Sequence, residues 1–171
     1  MGDLSDIFDF HEKFKPLVRF GKEIPGYYVS KDGDVYSTKT NKFMSRSICT
    51  SKRSGRLEAV FFRASIKKGF YEDYMHTRGN DRDTWNGAKI NITFHRAVAE
   101  TWMPIDEFPP ESLRECWKDL PEAAKQWVRD TALVDHINDD PYDNRLENLR
   151  WVTPKQNEHN RKKNEMLKGE I

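Results

Sequence analysis

An α+β fold is predicted for this chain by three observations. Residues 24–37 set strand-forming side chains on both sides of an Asp-Gly turn, residues 95–130 carry apolar side chains at helical spacing, and residues 133–160 run as strand, polar loop, strand and capped helix. A small antiparallel sheet module should therefore come first, helices in the middle and a compact strand–loop–strand–helix unit last. The expected boundaries are 1–94, 95–131 and 132–171.

Taken in order, residues 4–20 mix Leu, Ile, Phe and Val with charges, which predicts a short helix and a loop ended near Pro16. Residues 24–30 form a strand, Lys31, Asp32, Gly33 and Asp34 its turn, and residues 35–37 the returning strand. Segments near 57–67 and 88–94, rich in β-branched and aromatic residues, are expected to complete the same sheet, with the polar stretch 68–87 as a long loop between them. A helix over 95–103 must stop before Pro104, because the residue preceding a proline is pushed out of the α region, and it should pack on the sheet. Pro110 and Pro121 predict the first turns of two further helices, whose apolar face would be Leu113, Trp117, Leu120, Ala124, Trp127 and Val128. No period of roughly 20–50 residues repeats, which excludes a solenoid.

Composition narrows the function classes. No run approaches the roughly 18 apolar residues of a membrane span, so a soluble chain with no membrane partner is expected. Aromatics at 12% and a net charge of only +1 argue against global disorder. Cys49 and Cys116 have no CxxC partner, so neither a zinc ribbon nor a disulfide framework is supported, and both thiols are expected to be buried or incidental. Together with the lack of a signal-peptide apolar region in residues 1–23, this favours a cytoplasmic setting.

The near-zero net charge hides a segregation. Residues 39–68 hold nine bases and one acid, residues 100–130 eight acids and four bases, and residues 145–168 seven bases and three acids. In the first segment the cations alternate with strand formers, which places them on a sheet face able to lie along nucleic-acid phosphates. The candidate contacts are Lys52, Arg53, Arg56, Arg63 and Lys67, joined near the C-terminus by Arg161 and Lys162.

The densest chemistry lies in residues 133–160. Thr153, Pro154 and Gln156 form a capping box with proline at the first helical position, so a helix opens there and carries Asn157 in its first turn. The fold-back sets Asp135 and His136, at the end of one strand, opposite Asn157. A carboxylate and an amide carbonyl are hard oxygen donors suited to Mg²⁺, which takes few protein ligands and keeps water and phosphate oxygens, whereas zinc would want more nitrogen or sulfur. His136 suits a general base at neutral pH, because an unperturbed imidazole changes charge at about 6.5. His76 and His95 are expected to be structural or loop residues.

Asp135-His136, the Asn-rich loop, Asn148-Leu149-Arg150-Trp151-Val152-Thr153 and Asn157 in the following helix resemble the HNH endonucleases, in particular the phage-encoded, intron-associated homing type. The resemblance implies a ββα-metal catalytic unit over 132–171, with Asp135 and Asn157 as metal ligands, His136 as general base and Asn148 as the asparagine that fixes the loop and steadies the base. Residues 24–37 are similar to the nuclease-associated DNA-binding motif of that group, and His95 to Ala99 to the helix that precedes its catalytic unit. Residues 104–131 look like an insertion on which the family pattern is silent. The same resemblance implies a Mg²⁺-dependent endonuclease, with Mn²⁺ as a substitute, acting on double-stranded DNA as a monomer and nicking one strand at a specific site. The competing expectation is a catalytically silent DNA-binding or regulatory protein on the same fold.

Overall fold

The computed structural model describes residues 10–19, 21–50, 57–66, 89–167 and 169. The described strands fall into three antiparallel sheets. Strands β1 (Phe14–Arg19), β2 (Lys22–Ser30), β3 (Val35–Ser37) and β4 (Lys42–Phe43) form the first, β5 (Ser47–Thr50), β6 (Leu57–Ser65) and β7 (Lys89–Thr93) the second, and β8 (Leu133–His136) and β9 (Leu149–Val152) the third. The hairpin at 24–37 is present as expected, but the strands at 57–65 and 89–93 do not extend its sheet. The reason is coverage: Ile24, Tyr27 and Val29 of β2 and Val60, Phe62 and Ala64 of β6 are all buried in one core, and a single layer would have left one of those apolar faces in water.

Residues 14–19 also depart from expectation, forming a strand where the sequence predicts a loop ending near Pro16. Four residues at 10–13 are helical and the chain then enters β1, with Pro16 opposite Tyr28 and the register shifting between Pro16 and Val18. β1 is an edge strand, so a residue without an N–H is tolerated there, and Leu17 is free to reach the core.

Helix α1 (Phe94–Trp102) is the hub. It buries Phe94, Ala97, Val98, Ala99 and Thr101, and the small side chains at 97 and 99 let neighbouring strands approach closely. Thr101 accepts a hydrogen bond from the Val18 amide at 3.0 Å, the Trp102 indole donates to the Val29 carbonyl at 3.0 Å, and buried Arg19 pairs with Glu100. The helix thus binds the N-terminal strands on one side and reaches β8 and β9 on the other.

The two helices expected after Pro110 reduce to one. Glu111–Leu113 and Trp117–Asp119 are single 3₁₀ turns, and only α2 (Glu122–Thr131) is α-helical. Leu120 is held extended at φ −67° and ψ 139° by the proline that follows it, so any helix begun at Pro110 is cut short. Trp117, Val128 and Ala132 build a second small core with Ala99 and Trp151. Trp127, placed on the apolar face by its spacing, instead points outward and is 61% exposed, because Val128 takes the inward position and its neighbour is rotated about 100° away. Arg129 donates to Asp106 at 2.7–3.1 Å and to Glu122 at 2.6 Å, which fastens the segment before the 3₁₀ turns to α2. No helix among the described residues is long and apolar enough to cross a membrane.

Helix α3 (Pro154–Leu167) closes the fold. Its capping box is formed as the sequence predicts, with Gln156 Oε1 accepting from the Thr153 amide at 3.0 Å and Thr153 Oγ1 from the Gln156 amide at 3.3 Å.

Candidate active site

Strands β8 and β9 pair Leu133 with Val152, Asp135 with Arg150 and His136 with Leu149. The loop that joins them, residues 137–148, must satisfy its own polar backbone, and short amide and carboxylate side chains do this. Asn148, 6% exposed, is the knot: its Oδ1 accepts from the Asn138 amide at 3.0 Å, and its Nδ2 donates to Asn138 Oδ1 and to the Asp143 carbonyl, both at 2.8 Å. Asn138 passes the constraint on, accepting from the Asp140 amide at 2.9 Å and donating to Asp143 Oδ2 at 3.0 Å. Asp143 is further gripped by Arg145, whose guanidinium hydrogen bonds hold its carboxyl down at about 2.

Outside contacts seat the loop on the turn between β2 and β3. The Leu146 amide donates to the Lys31 carbonyl at 2.8 Å. Gly33 lies at φ +86°, and a Cβ built on it would stand 2.9 Å from the Asn144 carbonyl oxygen, so the Asp-Gly turn touches the loop backbone where only glycine fits.

His136 is held on two sides. Its Nε2 lies 3.2 Å from Oδ1 of Asn144, while the ring of His95 meets it edge to face with centroids 5.2 Å apart. His95 belongs to α1, and its Nδ1 is buried with no hydrogen-bond partner among the described residues. Burial foremost, then the neighbouring His136 and the guanidinium groups of Arg96 and Arg19, pushes the His95 pKa down to about 3, so this ring stays neutral and adds no positive charge beside His136.

Asp135 stands across the β8–β9 ladder from Arg150. Arg150 donates to Asp135 Oδ2 from Nε at 2.9 Å and from Nη2 at 2.7 Å, and Asn160 of α3 donates to the same oxygen at 3.0 Å. All three bonds fall on Oδ2, so Oδ1 is the oxygen left for a cation. Asp135, His136 and Asn157 line one open cleft of about 290 Å³, together with His95, Arg96 and Asp139. Among the described residues no three His, Cys, Asp or Glu side chains converge to hold a metal ion. A carboxylate oxygen and an amide oxygen beside open space instead fit a hard cation that completes its shell with water and phosphate oxygens.

The remaining candidates are dispersed. Arg63 is exposed on β6 opposite Asn91, and Arg161 and Lys162 are exposed on α3, where Lys162 pairs with Glu158 at 2.8 Å. Lys52, Arg53, Arg56, Lys67 and His76 lie outside the described residues. Both cysteines are exposed rather than buried, since Cys49 sits on the short strand β5 and Cys116 between the 3₁₀ turns, where neither faces a core. His159 is exposed and is not part of the cleft wall.

Sequence reasoning misses four participants: Asn144, Arg150, Asn160 and His95. Arg150 is within its reach, because pairing Leu133 with Val152 puts it opposite Asp135. Asn160 is too, lying three residues from Asn157 on one helix face. His95 and Asn144 give no local signal, since their neighbourhood is assembled from separate elements.

With this geometry in view, residues 128–159 match the family model of the HNH endonucleases. Its whole fold resembles that of the HNH homing endonuclease I-HmuI, solved in work on the DNA binding and cleavage of that enzyme. The two superpose with a TM-score of 0.50 over 93% of this chain and 60% of the other, at 24% identity. The chain thus spans about 60% of the length of the protein it matches. No curated protein matches the sequence.

Proposed function

We propose that this protein is a metal-dependent DNA endonuclease that hydrolyses one phosphodiester bond at a time. The observation that carries the reading is the single cleft shared by Asp135, His136 and Asn157, inside the segment that matches the HNH family. Asp135 and Asn157 would hold one Mg²⁺, or Mn²⁺ in its place, which when bound neutralises charge building on the phosphate and on the leaving 3′ oxygen. His136 takes the proton from a water lined up behind the phosphorus, and the products carry 5′-phosphate and 3′-hydroxyl ends. Asn148 acts through the loop, holding the backbone on the far side of His136 by its bonds to Asn138 and Asp143. Arg63 on the second sheet and Arg161 and Lys162 on α3 supply cations for the DNA backbone, which positions the duplex without reading its sequence. The chain holds one such unit, so a monomer is expected to nick.

Incubating a supercoiled plasmid library with the pure protein and Mg²⁺ tests this. Open circles should accumulate before any linear form, EDTA should abolish them, and His136→Ala should cut at least about 100-fold more slowly while still binding DNA. Cleavage that persists in EDTA, or a His136→Ala variant as active as the parent, would overturn the mechanism. DNA binding without cleavage in either Mg²⁺ or Mn²⁺ would make the protein a silent DNA-binding relative. Linear product from the outset, with a dimer mass, would rule out the monomeric nickase.

A further inference from the structure

We infer that Asn144 is a positioning residue that fixes which ring nitrogen of His136 serves as the base, an inference that rests on the reading of His136 as that base. Asn144 is 2% exposed, and its Nδ2 donates to the carbonyls of Pro141 at 3.3 Å and Tyr142 at 3.1 Å. Carbonyls only accept, so the amide nitrogen must face them and the amide oxygen must face His136. That oxygen, 3.2 Å from Nε2, also only accepts, so Nε2 carries the hydrogen. A neutral imidazole has one donor and one acceptor nitrogen, which leaves the lone pair on Nδ1. Imidazolium donates from Nε2 equally well, so the ring keeps its bond to Asn144 when Nδ1 takes a proton.

The support behind Asn144 comes from outside the catalytic unit. Gly33 abuts its carbonyl, and the Lys31 carbonyl holds the amide of Leu146 two residues on. His95 closes the other side of the His136 ring, with Arg96, Asp135 and Asp139 around the same cleft. Asn148 makes no bond to His136 in this arrangement: its partners are Asn138 and Asp143. The two asparagines therefore divide the work, one shaping the loop and the other orienting the ring.

The test is ¹⁵N NMR of histidine-labelled protein at a pH where His136 is neutral, combined with steady-state cleavage. The parent should show His136 as the Nε2–H tautomer alone. Asn144→Ala should let the ring populate both tautomers and lower kcat by about 10-fold or more, as expected for a misplaced reacting group, with KM for DNA unchanged. Asn144→Asp keeps an acceptor oxygen toward Nε2 but gives up the two donations to Pro141 and Tyr142, so it should hold the Nε2–H tautomer while recovering only part of kcat; its tautomer decides the matter if the alanine variant does not fold. A parent His136 found as the Nδ1–H tautomer, or an Asn144→Ala variant with one tautomer and full kcat, would overturn the assignment. Should His136→Ala cut at the parental rate, the reading of His136 as base would fall, whatever tautomer the parent shows.

Discussion

Two hairpins of this protein solve the same problem in opposite ways. Strands β2 and β3 are joined by a tight turn whose amide and carbonyl groups are largely spent within the turn: the Ser30 amide donates to the Asp34 carbonyl at 2.9 Å, and Ser30 Oγ accepts from the Asp34 amide at 3.1 Å. Strands β8 and β9 are joined by the long loop 137–148, where side-chain amides and carboxylates must take up the backbone groups that no ladder reaches. The first hairpin is held by its apolar inner face and the second by a polar network, and a polar network fixes the directions of its members as well as their distances. A strand-end histidine is better aimed by the second kind of support. The two hairpins also meet, at Gly33 and Asn144, so the economical turn serves as the floor of the elaborate one.

The comparison breaks most severely at the knot of the polar loop. Asn148→Ala strands the Asn138 amide and the Asp143 carbonyl, and a loss of about 2–4 kcal/mol is expected from equilibrium denaturation, since each buried group left unpaired costs about 1–3 kcal/mol. A loss under about 1 kcal/mol would mean that water satisfies the loop equally well.

Somewhat smaller is the effect expected at the contact between the hairpins. Gly33→Ala meets an unfavourable positive φ and also drives a methyl group into the Asn144 carbonyl, at a combined cost of about 2–3 kcal/mol. Gly21→Ala is the matched control, at φ +72° with nothing within 4 Å of its would-be Cβ, and should lose only about 1 kcal/mol. Equal losses in the two variants would show that the Gly33 contact carries no strain. If the floor supports Asn144, Gly33→Ala should also lower kcat while Gly21→Ala leaves it unchanged.

A third prediction concerns pH. His95 is held neutral in the folded protein, its pKa pushed to about 3, whereas in the unfolded chain it takes a proton near 6.5. The unfolded state therefore binds more protons between those values, and stability conferred above pH 6.5 is lost as the pH falls. Relative to a His95→Gln variant, the parent should lose up to about 1.4 kcal/mol per pH unit between pH 6 and 4. Parallel stability curves for the two proteins would show that the ring is solvated. The smallest effect belongs to Trp127, whose exposed side chain should cost less than about 0.5 kcal/mol when replaced by alanine, as judged by the thermal midpoint.

How much of this is legible in the sequence differs by element. The capping box at Thr153, the Asp-Gly hairpin, the stop of α1 before Pro104 and the strand–loop–strand–helix order are local matters, decided by side chains within a few residues of one another, and each is found where the sequence places it. Helical spacing misplaces Trp127 because it defines a stripe without saying where the stripe ends. Pro16 reads as a breaker because sequence does not say which strand will lie at an edge. The single expected sheet becomes two because the choice depends on how much apolar face remains to be covered.

At the cleft the same division holds. The Asp135-His136 pair, Asn148 and Asn157 are visible as residue types at a spacing, so the chain alone named the side chains in contention and suggested the chemistry proposed for them. Tertiary structure alone decided that Arg150 and Asn160 take Oδ2 of Asp135, that His95 is stripped of water beside His136, and that Asn144 is braced by a glycine more than a hundred residues earlier. The physical reason is range. Propensity, capping and turn chemistry act over a few bonds of the chain, whereas desolvation, ring orientation and the direction of a buried amide are set by whichever atoms the fold happens to bring alongside.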